Sequence, residues 1–241
     1  MKILVFSDIH GNKYALQSLI DSEDFKSSDL KVFLGDFITL GTQTNEVVDI
    51  IKSNDIISVL GNNDSYVVNG LSEEELREKS SGKIEHMSIV KTELSKENIE
   101  YLQSLPKYYE INEGGKSILF CHYAWESDTE VKDDPIYRFD GTIEKVFKEY
   151  NYDYIIYGHI HTPYRTRDKG KVIYGVGSTG AMYPGRYIMI DIDSGRVNIK
   201  RKFIDYDYKS FKEDMSKFTD RSRKFFYHIL DREFGVKKQG R

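Results

Sequence analysis

Five short stretches of this 241-residue chain offer lone pairs to a cation: SDIHGN (7–12), LGDF (34–37), LGNNDS (60–65), FCHY (120–123) and YGHIHT (157–162). They supply Asp8 and His10, Asp36, Asn62 and Asp64, His122, and His159 and His161. Carboxylates, imidazoles and one amide oxygen suit Mn2+, Fe or Zn2+ better than Ca2+ or a thiolate-preferring metal. Asp8, His10, Asp36, Asn62, His122, His159 and His161 make seven ligands, and one shared carboxylate brings the count to eight bonds, or four for each of two ions. Paired ions roughly 3.5–4 Å apart are the usual arrangement for in-line displacement at phosphorus. His159 and His161, one residue apart, would then each feed a different ion.

Taken singly, each stretch has an ordinary explanation. Asp-X-His can belong to any loop, Asn-Asn-Asp favours turns, and a histidine beside Cys121 can be buried and satisfied. The argument for chemistry is their combination, because each stretch follows an apolar run. The remaining histidines, His86 and His228, fall in a charged helical region and in the tail, outside the set.

The elements that must position these residues follow from hydrophobic spacing. KILVF (2–6), KVFLGD (31–36) and DIISVLGNND (55–64) read as buried strands. Between them, 13–21 and 44–52 have helical spacing, with Thr44 as a cap. Strand, helix, strand, helix, strand implies right-handed crossovers and a parallel sheet. In open α/β sheets ligands bind beyond the carboxyl ends of the strands, which is where these side chains fall. Residues 65–105 are charged and helical in pattern and read as a helical insert over one edge of that sheet. Ser72 with Glu75 has capping-box spacing, and Ser95 with Asn98 marks another helix start. Strand patterns return at 108–111, 116–122, 153–161, 171–178, 186–193 and 196–204, with a helix over 141–150. Asp193-Ser194-Gly195 signals a hairpin, and a second, largely antiparallel sheet is expected. The tail, 207–234, reads as helical and carries Phe211, Phe218, Phe225, Phe226 and Tyr227, which would pack on the body or on a partner chain.

Composition sets outer bounds. The formal net charge is −4, and no basic stripe is present, which argues against nucleic acid as a partner. The single cysteine, Cys121, cannot form an internal disulfide and fits a reducing compartment. The N-terminal apolar run is too short for a signal peptide, and no window approaches the ~18 apolar residues of a membrane span. A soluble cytoplasmic protein is the default expectation.

In this order, SDIHGN, LGDF, LGNNDS, FCHY and YGHIHT resemble the calcineurin-like metallophosphoesterase family, whose pattern is Asp-X-His, Gly-Asp, Gly-Asn-His-Asp or Glu, His, and Gly-His-X-His. The resemblance covers residues 1 to about 204 and is most similar to the small prokaryotic branch that includes bacterial diadenosine tetraphosphate hydrolases. It implies an α/β fold: a four-layer sandwich of two mixed sheets with flanking helices, the insert at about 65–105 and a C-terminal helical extension over 205–241. It also implies two divalent metal ions, with Mn2+ expected and Fe, Zn or Ni as alternatives. Asp8, His10, Asp36 and His161 would hold one ion, and Asp36, Asn62, His122 and His159 the other, with Asp36 bridging. Asp36, Asn62, Asp64 and His122 would serve catalysis, with a water or hydroxide between the ions as nucleophile and no covalent enzyme intermediate.

Two departures from the pattern carry consequences. Asn63 stands where relatives often have a histidine that, paired with the acid at Asp64, helps protonate the leaving group. An asparagine has no such proton, and general acid catalysis is worth about 10²–10⁴-fold. Leaving groups that depart as stable anions are therefore favoured: a nucleotide phosphoanhydride or an activated diester ahead of an alkyl monoester. Tyr66 or a metal-bound water is an alternative acid. In YGVGS (174–178), Gly175 and Val176 replace the Asn-Pro of relatives, which touches no metal ligand. The expected partner is a small phosphorylated, nucleotide-type substrate. Candidate contacts are the insert, the loop 123–139 with Trp125, Tyr137 and Arg138, and Arg165, Arg167 and Arg186. Competing readings are a monoester or protein phosphatase and a protein-binding scaffold. A homo-oligomer through the C-terminal aromatic helices is a further expectation.

Overall fold

The structure, a computed structural model, describes residues 1–78, 81–125 and 142–217. The first apolar run forms β1 (Lys2–Phe6), whose alternate residues are both buried: Ile3 and Val5 on one face, Leu4 and Phe6 on the other. A strand buried on both faces needs layers above and below it. Helix α1 (Lys13–Asp21) and the single turn α2 (Glu23–Lys26) return the chain to β2 (Leu30–Phe33), and α3 (Thr44–Ser53) returns it to β3 (Ile57–Ser58). The three strands are parallel in the order β1, β2, β3, as the strand–helix alternation predicts.

The described part of the insert is four helices joined by short connections: α4 (Asn62–Val68), α5 (Glu73–Glu78), α6 (Ser81–Glu93) and α7 (Lys96–Ser104). It buries Val67, Met87, Val90 and Leu102 against Phe33 and Phe37, so it covers the outer face of the sheet beside α3 rather than only its edge. A second sheet follows, built from β4 (Tyr108–Glu113), β5 (Lys116–Cys121), β6 (Tyr154–Tyr157), β7 (Tyr164–Asp168) and β8 (Lys171–Gly175), with α8 (Thr142–Val146) before β6. The hairpin β9 (Gly185–Asp193) and β10 (Arg196–Ile204) and the helix α9 (Tyr208–Ser216) end the described chain.

Sheet orders are β10-β9-β1-β2-β3 and β4-β5-β6-β8-β7. Ile3, Val5, Val32, Ile188 and Ile190 of the first sheet meet Ile118, Phe120, Ile156 and Tyr174 of the second in the central core. The alternate residues Leu119, Cys121, Ile155 and Tyr157 face Phe147 and Ile143 on the far side. The result is the four-layer sandwich of two mixed sheets with helices outside.

The second sheet is not largely antiparallel. Its centre, β5, β6 and β8, is parallel, and only β4 and β7 run antiparallel, at the two edges. The hairpin β9-β10 belongs instead to the first sheet, where Tyr187–Asp191 pairs antiparallel with Phe6–Lys2. A turn signal fixes which two strands pair with each other, not which sheet receives them. Strand β7 escapes sequence reading because YRTRD is a half-exposed edge with no apolar alternation. The expected third strand over 55–64 shrinks to two residues, because Gly61 is the N-cap of α4 and Asp64 reaches back to accept its N–H at 3.0 Å. Thr44 is the first helical residue of α3, and Gln43 occupies the N-cap without a side-chain cap bond. Ser95 does cap α7, accepting from the Asn98 N–H at 3.2 Å.

Helix α9 lies on α1. Phe211 and Met215 pack with Ala15 and Tyr206, and Asp214 accepts from the Tyr14 hydroxyl at 2.6 Å and from Gln43 Nε2 at 2.9 Å. The tail beyond residue 217, with Phe218, Phe225, Phe226, Tyr227 and His228, lies outside the described residues. Among the described residues no helix is long and apolar enough to cross a membrane. Phe211→Ala removes a ring that is 2 % exposed. It is expected to cost about 3 kcal/mol, read as a lowered midpoint in urea unfolding.

Candidate metal centre

The chain turns sharply where each central strand ends. Asp8, His10, Asp36 and His159 all adopt left-handed backbone, with φ of 55°, 51°, 59° and 62°. A non-glycine residue pays strain for this conformation, and such strain collects at functional sites. Cross-strand bonds hold the turns: Asp8 N–H donates to Gly35 O at 3.0 Å, His10 N–H to Asp36 O at 3.0 Å, and Gly11 N–H to Phe37 O at 2.7 Å. From the second sheet, Gly158 comes so close that a methyl group on it would strike the Ser7 hydroxyl. Glycine there lets the two sheet ends approach without displacing the Ser7 side chain.

Two groups of ligand-type atoms result. On one side, His161 Nε2 lies 3.6 Å and His10 Nε2 3.8 Å from Asp8 Oδ1, and the two imidazole nitrogens are 3.1 Å apart. On the other, Asn62 Oδ1 lies 2.8 Å from His122 Nε2 and 3.0 Å from His159 Nδ1. Asp36 stands between them, its Oδ2 3.6 Å from His10 Nε2 and 3.4 Å from His122 Nε2. Atoms of Asp8, Asp36 and His122 also gather within 4.8 Å of one another. All seven candidate ligands therefore face one small volume. Asp8 and Asp36 are 0 % and 1 % exposed.

Protonation shows what this volume is suited to hold. His122 Nδ1 is 2.8 Å from Leu34 O, and a carbonyl can only accept, so the ring proton sits on Nδ1. With that proton on Nδ1, the other ring nitrogen, Nε2, faces the amide oxygen of Asn62 at 2.8 Å. His10 is fixed the same way, with Nδ1 at 3.1 Å from Ile38 O. Both carboxylate oxygens of Asp8 are buried without a hydrogen-bond partner. Lone pairs crowded against lone pairs, with two buried carboxylates, fit divalent cations. Burial alone would raise the Asp8 carboxyl, but His161, His122 and His10 outweigh it and hold it below the usual carboxylate range. Burial lowers the His10 imidazole against the upward pull of Asp36 and Asp8, which favours the neutral ring a metal requires.

Asp64 sits just behind the ligands. Its carboxylate accepts from the N–H groups of Asp36 (2.9 Å), Phe37 (3.0 Å), Ile38 (3.3 Å) and Gly61 (3.0 Å). Burial and the neighbouring Asp36 push its pKa up, and four N–H donors favour the charged form against that push. Asn63 is bound to Asp36 twice, through its backbone N–H at 3.0 Å and its Nδ2 at 2.6 Å. Sequence reading treated Asn63 as a lost acid and missed this clamp, which its position two residues past Gly61 could have suggested. Ser178 is a second such residue, donating from Oγ to Asp8 O at 2.8 Å. Its signal was the surviving Gly177-Ser178 pair.

The expected substrate contacts scatter. Arg186 donates to His161 O at 3.3 Å and so braces the histidine loop. Arg165 and Arg167 lie exposed on β7. Trp125 is 8 % exposed, with Lys107 Nζ 5.0 Å from its ring centre. Tyr66 is buried in the core of the insert. Tyr137 and Arg138 lie outside the described residues.

The profile of the calcineurin-like phosphoesterase superfamily domain matches residues 1–195, which include every one of these candidate ligands. The chain belongs to this family. The uncharacterised protein MJ0912 of Methanocaldococcus jannaschii is 32% identical over 219 residues, covering 87% of this chain and 84% of that protein. The hypothetical protein PH1004 of Pyrococcus horikoshii shares the fold at a TM-score of 0.74 and 18% identity, over 94% of this chain and 97% of that one. A metallophosphoesterase of Sphaerobacter thermophilus does so at 0.69 and 20%, over 95% and 98%. In this calcineurin-like phosphoesterase, Asn63→Ala removes the side-chain bond to Asp36 Oδ2 and keeps the backbone N–H bond to Oδ1. Loss of such a partner costs about 10–100-fold in metal affinity, and Mn2+ titration by calorimetry is expected to show a loss at the low end of that range.

Proposed function

We propose that the chain is a hydrolase of phosphoric esters or anhydrides that works with two divalent ions, Mn2+ foremost. The observation that carries this reading is Asp36, set between His10 and His122 at 3.6 and 3.4 Å with lone-pair atoms gathered on both sides. Asp8, His10, Asp36 and His161 would hold one ion, and Asp36, Asn62, His122 and His159 the other. Bound there, the ions would supply an activated water as nucleophile and neutralise charge on the phosphoryl oxygens.

The chain's own residues shape the preference among substrates. Leu34 O and Ile38 O keep the ring protons of His122 and His10 on Nδ1, so Nε2 stays available to a cation. Asp64 holds the Asp36 turn through backbone N–H groups rather than through a histidine. Asn63 spends its amide on Asp36 and has no proton to give a leaving group. A leaving group that departs as an anion suits this site. A nucleotide phosphate, with a second pKa of about 6, is such a group, whereas an alkoxide is not. Dinucleoside polyphosphates and activated phosphodiesters are therefore the substrate classes this site favours over alkyl monoesters.

Hydrolysis under Mn2+ of diadenosine tetraphosphate, a nitrophenyl diester, a nitrophenyl monoester and phosphoserine tests this. The tetraphosphate or the diester is expected to turn over at least about 10²-fold faster than phosphoserine, the low end of what a general acid contributes. Asp36→Ala is expected to reduce every rate to background. Faster hydrolysis of phosphoserine would overturn the leaving-group argument, and full activity of Asp36→Ala would overturn the shared-carboxylate reading.

A further inference from the structure

Histidine 86 belongs to none of the motifs. It lies on α6 of the insert, next to Met87 in the chain, and is 1 % exposed. Its Nε2 accepts the backbone N–H of Leu40 at 3.1 Å. Leu40 and Thr39 are consecutive non-glycine residues in left-handed backbone, with φ of 55° and 73°. Two such residues in a row persist only where surrounding contacts over-determine them. The turn they form is the one that anchors His10: Ile38 O and Thr39 Oγ1 both lie 3.1 Å from His10 Nδ1. That anchor sets the ring's tautomer and aims Nε2 at Asp36 and His161.

We propose that His86 is a positioning residue for the His10 side of the metal centre, acting through the turn at 38–40. This rests on the two-ion reading above. The link is one-sided. His122 of the other side is anchored elsewhere, on Leu34 O before the turn, at 2.8 Å. The insert thereby does more than cover the sheet. It supplies the acceptor that holds a strained turn in the shape one ion's ligands need.

The one-sidedness separates positioning from general packing. The test is calorimetric titration of the full chain, stripped by a chelator, with Mn2+ alone, beside urea unfolding of each variant. The wild-type chain is expected to bind two ions. His86→Met keeps the bulk and removes the nitrogen acceptor. It should weaken one binding event about 10–100-fold, the range for partners behind the ligands, and leave the other unchanged. His86→Gln, whose amide oxygen can accept from Leu40, should recover most of the loss. In a His10→Ala background, His86→Met should have no further effect. Unchanged affinities in His86→Met would overturn the proposal, as would an equal loss at both sites in step with a lower urea midpoint. Should His86→Met not fold, Thr39→Val breaks the same chain one step later and must weaken the same single event. A wild-type chain that binds fewer than two Mn2+ ions would instead overturn the two-ion reading itself, and this inference with it.

Discussion

A single buried carboxylate ties the active face together. Asp64 gathers four backbone N–H groups from two separate segments, the turn after β2 and the N-terminus of α4. Those segments carry Asp36 and Asn62. Without an acceptor between them, four buried donors would lack partners, each at a cost of about 1–3 kcal/mol. Glycine at 61 is a condition of this contact, because a side chain there would collide with the Asp36 backbone nitrogen and carboxylate. The relative placement of the two ligands is thus an electrostatic and steric matter settled behind the site, before any cation is considered.

The same economy explains where backbone strain falls. Among the described residues nine non-glycine positions have positive φ, and six of them, Asp8, His10, Asp36, Thr39, Leu40 and His159, belong to the ligand loops. Such strain is tolerated only against a rigid frame. Parallel strands buried on both faces provide that frame, and each loop is pinned to its neighbour by main-chain bonds rather than by long side chains.

Much of this was legible in the sequence, for identifiable reasons. Buried parallel strands announce themselves as continuous apolar runs, so 2–6, 31–36 and 116–122 were readable, and the ligands directly beyond them were readable as well. Strand β7 was not, because an edge needs no apolar face. The pairing of β9 with β1 was not, because residues some 180 positions apart leave no local mark of their partnership. The helix at Asn62 was hidden because its start depends on Asp64 reaching back, which converts an apparent strand end into a cap. The clamp of Asn63 on Asp36 left only a faint signal, its place two residues past Gly61, because it is a contact between two loops.

The place of β1 has a consequence for how the protein is made. It is the central strand of its sheet, between β2 and β9, and the chain that completes its second edge lies at residues 185–193. During synthesis from the N-terminus, at about 5–20 residues per second, Asp8 and His10 therefore leave the ribosome long before His159, His161 or the strand that seals β1. The first half of the chain can form its strand–helix–strand units early, yet the centre cannot close until nearly the whole domain has emerged. An early fragment would hold only some of the candidate ligands. Assembly of the reactive site is thus deferred to the last stage of folding by topology alone.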